Sequence, residues 1–317
     1  MIRDILRPDY RAHAVLVDPA RPTSQLWRLF VGFLLLCVGL AISLFLALAV
    51  VLFFTTIFQE FIFIDQQSTF DLDTDLLLDE NSYGNTAGEM LHILLHIALL
   101  IPVVALIASA LHGRRLSSII GPRKLALKQF VGIVLALIVL DAVVTFLPPY
   151  SSDDGSGQTN LDFGVWLVLL PLSMFVVLLQ CAAEEIVFRG YFQQQLAARF
   201  KNTAIWLIIP SALFGVMHYN PDAGSNAIAI VASAVIFGVL MADLTARAGT
   251  LGPAIAIHFV NNFMAILLFA PADEMNGLAL YTSSFGLGDE DAIRIWLVID
   301  LFYMSVSWLV ARLVLRR

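Results

Sequence analysis

The sequence predicts an all-α fold: a polytopic membrane helix bundle of about eight transmembrane helices, with both termini cytoplasmic. Three observations lead there. The 317 residues are 59% hydrophobic and only 14% charged, and mean hydropathy is +0.85. Soluble globular chains are about 45–50% apolar and about 25% charged. Uncharged apolar runs recur along the whole chain, several near the ~20 residues that a helix needs to cross the hydrocarbon core. The charges between those runs switch sign from one connection to the next. The runs are continuous, without the polar–apolar alternation of a closed β-barrel, which excludes that fold.

The spans follow in order. The first, 29–59, is an uncharged run of 31 residues. It is too long for a signal-peptide core and no small-residue cleavage site closes it, so it is retained as a helix. The others are expected at about 90–111, 125–147, 163–183, 203–219, 227–243, 250–270 and 294–315. Lys and Arg mark cytoplasmic connections. They fall in the N-terminal arm (Arg3, Arg7, Arg11, Arg21, Arg28) and in the second connection (Arg114, Arg115, Arg123, Lys124, Lys128). They recur in the fourth (Arg199, Lys201), the sixth (Arg247) and the tail (Arg312, Arg316, Arg317). The odd-numbered connections lack them, and 59–89 is strongly acidic and reads as a solvated outer loop. Arg294, at the start of the last span, is the one exception. A net charge of −7 with 18 basic residues argues against nucleic acid as a partner. Cys37 and Cys181, both in apolar runs, exclude a disulfide-stapled domain and a cysteine zinc site.

With no soluble domain, chemistry must sit among the helices, where ionisable residues are costly. Glu184 and Glu185 follow 21 uncharged residues, Phe163–Ala183. On an α-helix Glu185 and Arg189 are i,i+4 neighbours and can pair. Glu184 points to another face and is left for chemistry as a general base. Spacing alone fits equally a capping or interfacial salt-bridge cluster. Phe214 precedes His218 by one turn and can stack on its ring. His258 and Asn262 share a face, where paired donors can hold an oxyanion or simply bond a neighbouring helix. If the fourth helix runs to Ala198, Glu184 lies about 21 Å from its cytoplasmic end, and His218 about 22 Å from Thr203. His258 is only about 12 Å beyond Thr250, which fits only if the Gly249–Pro253 turn dips into the bundle. Other intramembrane polar groups read as structural: His92 and His96 (metal-pair spacing without a third ligand), Asp141, Asp300, and an Asp243–Arg247 pair. Pro171 is expected to kink the fourth helix, and Trp166 to anchor its outer end.

Taken together, Glu184-Glu185-x-x-x-Arg189, Phe214-x-x-x-His218 and His258-x-x-x-Asn262 resemble the CAAX protease and bacteriocin-processing family of intramembrane proteases. That family is also called CPBP or Abi and includes the type II CAAX prenyl endopeptidase. The resemblance covers about residues 163–270, which would form the catalytic core. Around it lie the cytoplasmic arm 1–28, three helices with acidic outer loops in 29–162, and an outer loop with the last helix in 271–317. The resemblance implies Glu184 as the catalytic carboxylate, with His218 helping to polarise a water. It implies His258 and Asn262 as the oxyanion-stabilising pair, supported by Glu185 and Arg189. Two His and one Glu admit zinc, as in a metalloprotease. They equally admit a metal-free water activated by Glu and His, and no HExxH motif occurs. The implied substrate is a membrane-embedded or lipidated peptide within the lipid bilayer. Compact loops point to a prokaryotic plasma (inner) membrane. On physics alone, an ion- or proton-coupled transporter and a non-catalytic scaffold are the alternatives. A transporter would show matching polar segments in spans one to three, and none is seen.

Overall fold

The computed structural model describes residues 9–61, 84–146 and 157–316. Most of the acidic outer loop (62–83), the second outer loop up to 156, Arg3, Arg7 and Arg317 lie outside them. Among the described residues six helical segments are long and apolar enough to cross a membrane: Leu26–Phe53, Ala87–His112, Arg123–Thr145, Phe163–Arg199, Pro221–Ala248 and Glu290–Leu315. The other two apolar runs of the sequence form shorter helices, Thr203–Val216 and Gly252–Leu268. The chain is a helical integral membrane protein.

In chain order the helices are α1 (Ala14–Val17), α2 (Leu26–Phe61), α3 (Ala87–Ala98), α4 (Leu100–His112), α5 (Leu116–Ile120) and α6 (Arg123–Thr145). Then come α7 (Phe163–Glu185), α8 (Gln193–Arg199), α9 (Thr203–Val216), α10 (Ala227–Ala248), α11 (Gly252–Asn262) and α12 (Glu290–Leu315). Local chemistry sets their ends. Thr86 and Glu89 form a capping box at the start of α3. Asp162 accepts from Gly164 and Val165 to start α7, and Asn202 accepts from Ala204 to start α9. α7 runs unbroken through Pro171. Outside the bundle three two-residue strands form a small sheet in the order β1 (Gln158–Thr159), β3 (Tyr281–Thr282), β2 (Phe269–Ala270). β1 is antiparallel to β3 and β2 is parallel to it. Trp166 donates its indole N–H to the Leu267 carbonyl at 2.7 Å, so it ties α7 to this outer layer.

α11 packs between α6 and α7, α10 lies on α9 and α12, and α3 fills the space between α2 and α7. Several of the polar groups expected to be structural make packing contacts between helices. His96 Nε2 meets the Leu40 carbonyl at 3.1 Å and its ring stacks on His92. Tyr303 donates to Asp141. Arg247 donates to Asp243 at 2.7 Å, and Tyr10 and Trp308 donate to the same carboxylate.

The arm before α2 is docked rather than solvated. Leu16 and Ala20 are fully buried, and Arg114 donates to the Leu16 carbonyl. Gly249 closes α10 with φ +70°, and a side chain there would meet the Ala12 carbonyl at 2.7 Å. Residues 249–253 are all buried, and Leu251 N–H donates to the Ile120 carbonyl. The Gly249–Pro253 turn thus does lie inside the protein, lidded by the arm and α5.

Two outcomes follow. A side chain at Gly252 would overlap the backbone carbonyl of Ala126 on α6. Alanine gains about 0.5–1 kcal/mol over glycine in an ordinary helix, whereas overpacking costs about 1–3 kcal/mol. Gly252→Ala is therefore expected to lower the unfolding temperature in detergent, and a rise would show that α6 and α11 do not meet this closely. His13 is buried against Trp206, with ring centroids 5.0 Å apart. Burial pushes its pKa down to about 4, below the ~6.5 of the unfolded chain. Its stabilising contribution is full above pH ~6.5 and is lost as pH falls toward the folded value. Amide protection across 9–24, taken relative to the intrinsic exchange rate at each pH, is expected to fall between pH 6.5 and 4, and less so in His13→Gln.

Candidate functional site

The site is built where α7 and α11 cross. Glu184 meets His258 and Gln180 meets Asn262, so α7 and α11 are antiparallel. Residues spaced i,i+4 on one then face residues spaced i,i+4 on the other. Glu184 stands opposite His258, and Gln180 opposite Asn262.

Glu185 is fully buried and Arg189 is 1% exposed. Arg189 Nη1 donates to Glu185 Oε1 at 2.9 Å, as the spacing predicts. The helix changes pitch at this point: Ile186–Phe192 is a π-helix, a form concentrated at functional sites. A second π segment, Phe263–Leu268, begins directly after Asn262. The Arg189 guanidinium lies 4.7 Å from the centre of the Phe214 ring, within cation–π range. His258 is 3% exposed. Its Nδ1 lies 2.9 Å from Glu185 Oε1. A carboxylate accepts, so Nδ1–H donates and Nε2 is aimed elsewhere. It faces Glu184 Oε2 at 3.5 Å, and that buried oxygen has no hydrogen-bond partner.

Glu184 is not wholly free, as helical spacing alone suggested. Gln180 Nε2 donates to its Oε1 at 2.8 Å. Asn262 Nδ2 donates to Gln180 Oε1 at 2.9 Å. His258 and Asn262 do share a face of α11, but each is engaged with α7. Gln180 is unmarked by the three sequence segments. Its signal is a carboxamide one turn before Glu184 in an otherwise apolar stretch.

His218 sits in the turn after α9, exposed. Its ring lies 4.5 Å from that of Phe214, as expected from the spacing. Nδ1 meets the Phe214 carbonyl at 2.9 Å. A carbonyl accepts, so Nδ1 carries the proton and Nε2 keeps a lone pair. The opposite side of Phe214 contacts His258, with ring centroids 6.1 Å apart. The structure therefore joins Glu184, Glu185, Arg189 and His258 directly and Asn262 through Gln180. His218 is set beyond Phe214, with no hydrogen bond to Glu184. Among the described residues no three His, Cys, Asp or Glu side chains converge to hold a metal ion.

A polytopic membrane bundle with a buried Glu–His–Glu–Arg chain between two antiparallel helices defines the class: an integral membrane protein whose polar site lies between helices. Comparison makes it particular. Residues 166–264 match the family described as "Type II CAAX prenyl endopeptidase Rce1-like", and that segment carries Gln180, Glu184, Glu185, Arg189, His218, His258 and Asn262. The resemblance of the motifs is borne out over this segment, which is similar to that family. The chain is also 25% identical over 265 residues to the uncharacterized protein YyaK of Bacillus subtilis (strain 168), covering 82% of this chain and 84% of YyaK. No solved structure matches.

Removing one member of a buried ion pair leaves an unpaired charge and costs about 3–5 kcal/mol. Arg189→Met should accordingly lower the unfolding temperature strongly in detergent. Glu185→Gln added to it should recover part of the loss. A stable Arg189→Met single variant would contradict the desolvated pairing.

Proposed function

We propose that the protein is an intramembrane endopeptidase that hydrolyses a peptide bond of a membrane-associated or lipid-modified, CAAX-type peptide. The observation that carries this reading is the unpartnered, buried Glu184 Oε2 facing His258 Nε2, inside the segment that matches an endopeptidase family. A carboxylate oxygen beside an imidazole nitrogen is suited to take a proton from a water that contacts both.

In this reading Glu184 Oε2 removes a proton from the water as its oxygen adds to the scissile carbonyl carbon. His258 Nε2 contacts the same water, and its ring is fixed by the bond to Glu185 and, behind it, Arg189. His218 lies beyond Phe214 and acts on this site through the packing of its ring on Phe214, which in turn lies against His258. Asn262 has two amide N–H groups and uses one on Gln180. The other donates to the developing oxyanion. The proton on Glu184 then passes to the leaving amine as the C–N bond breaks, giving a carboxylate and a free amine. His258 lies six residues from the start of α11, about 9 Å from its inner end. That depth suits a peptide entering sideways from the bilayer with its charged end cytoplasmic, in a prokaryotic plasma membrane.

The test is cleavage of a quenched fluorescent peptide panel, farnesylated and plain, by the purified protein in detergent. Wild type is expected to cleave, with and without a strong zinc chelator. Glu184→Gln should abolish cleavage while unfolding temperature and helical circular dichroism stay unchanged. A wild type inactive over the whole panel, or a fully active Glu184→Gln, overturns the reading.

A further inference from the structure

We propose that Gln180 is the positioning residue of this site, acting through Glu184 and Asn262 without itself touching substrate. The inference rests on the hydrolytic reading of Glu184. Gln180 is 4% exposed, within a helix that crosses the membrane. A buried carboxamide is costly unless both ends are bonded, and here both are. Its N–H donates to Glu184 Oε1 at 2.8 Å, and its carbonyl accepts from Asn262 at 2.9 Å and from the Cys181 thiol at 3.3 Å.

The two bonds have opposite polarity. Glu184 offers only acceptors and Asn262 Nδ2 only donors, so the group between them must donate to one and accept from the other at once. Of the side chains of this length, only glutamine does so. Glutamate would set acceptor against acceptor at Glu184, and methionine would fill the space with no bond to either. With Gln180 in place, Glu184 Oε1 is occupied, so Oε2 is the oxygen turned to His258. The Asn262 amide is held with one N–H on Gln180 and its second N–H unassigned. One side chain on α7 thereby sets the base and the oxyanion donor in register, though they belong to different helices.

The experiment is steady-state cleavage of the same peptides by the full chain in detergent. The variants are Gln180→Met, Asn262→Ala and the two combined, with unfolding temperatures measured alongside. Misorienting a reacting group by about an ångström costs on the order of 10²-fold in rate. Gln180→Met is therefore expected to lose about that factor in kcat, with KM within about twofold. Because part of the Gln180 effect runs through Asn262 and part through Glu184, the double variant should be slower than Asn262→Ala alone but lose less than the product of the two single losses. A Gln180→Met enzyme with wild-type kcat, a loss confined to KM, or effects that multiply in the double variant would overturn the assignment. If Gln180→Met does not fold, Gln180→Glu keeps the length and a polar end; wild-type kcat in that variant overturns the assignment and a large loss supports it. A wild type that cleaves nothing fails the hydrolytic reading itself, a distinct outcome from an active wild type indifferent to position 180.

Discussion

The structure turns on one buried charge. Arg189 is held inside the bundle with almost no access to water, and a guanidinium there must be neutralised and hydrogen-bonded. Glu185 does this from one turn away, at 2.9 Å. At 4 Å and an effective dielectric of about 20, two unit charges attract by about 4 kcal/mol; an ordinary hydrogen bond nets about 1 kcal/mol. The pair thus dominates its surroundings. Its consequences run outward: Glu185 Oε1 also accepts a hydrogen bond from His258 Nδ1–H, so the rotation of α11 about its axis is fixed by a charge on α7. The aromatic rings of Phe214 and Phe237 close around the Arg189 and His258 planes. They add van der Waals and cation–π contact while keeping water out.

The second constraint is depth. α11 begins within the protein, and its first residues have no lipid headgroups or water beside them. The turn that starts it is covered by α5 and by the arm, whose Tyr10 also completes the Asp243 and Arg247 pairing. The arm is part of the floor beneath the site. That explains why residues far from the polar cluster in sequence, such as Leu16 and Ala20, are among the most buried of the chain.

Much of this was legible in the residues. Continuous apolar runs and the sign of the charges between them gave a polytopic helical bundle, because lipid leaves the backbone few alternatives. The i,i+4 spacings of Glu185–Arg189, Phe214–His218 and Asp243–Arg247 each became a contact, since helix geometry is nearly invariant. The length of the fifth and seventh apolar runs misled in part: α9 stops at Val216, and α11 with its π extension is short. Glycine and proline told where α11 begins, but not that the arm would lie on it. Gln180 stayed hidden because its meaning depends on which helix lies opposite, and spacing within one helix carries no information about the partner. The change to π pitch was equally unreadable, since it answers tertiary packing rather than local propensity.

The π segments have a consequence for the chain as a whole. A helix that departs from α pitch at Ile186–Phe192 carries a phase offset: everything after it is turned relative to a regular helix continuing from α7. Were those seven residues wound at α pitch instead, α8 would turn by about a third of a revolution about the axis. The side chains of Gln193 and Gln194, now bonded to the carbonyls of Ala242 and Ile119, would swing away from both. Glu184 would stay where it is, while the floor below lost its register. The chain thus holds two faces of one long helix to two different partners, the lower half to the arm and α10 and the upper half to α11. The offset between them lets both fit at once.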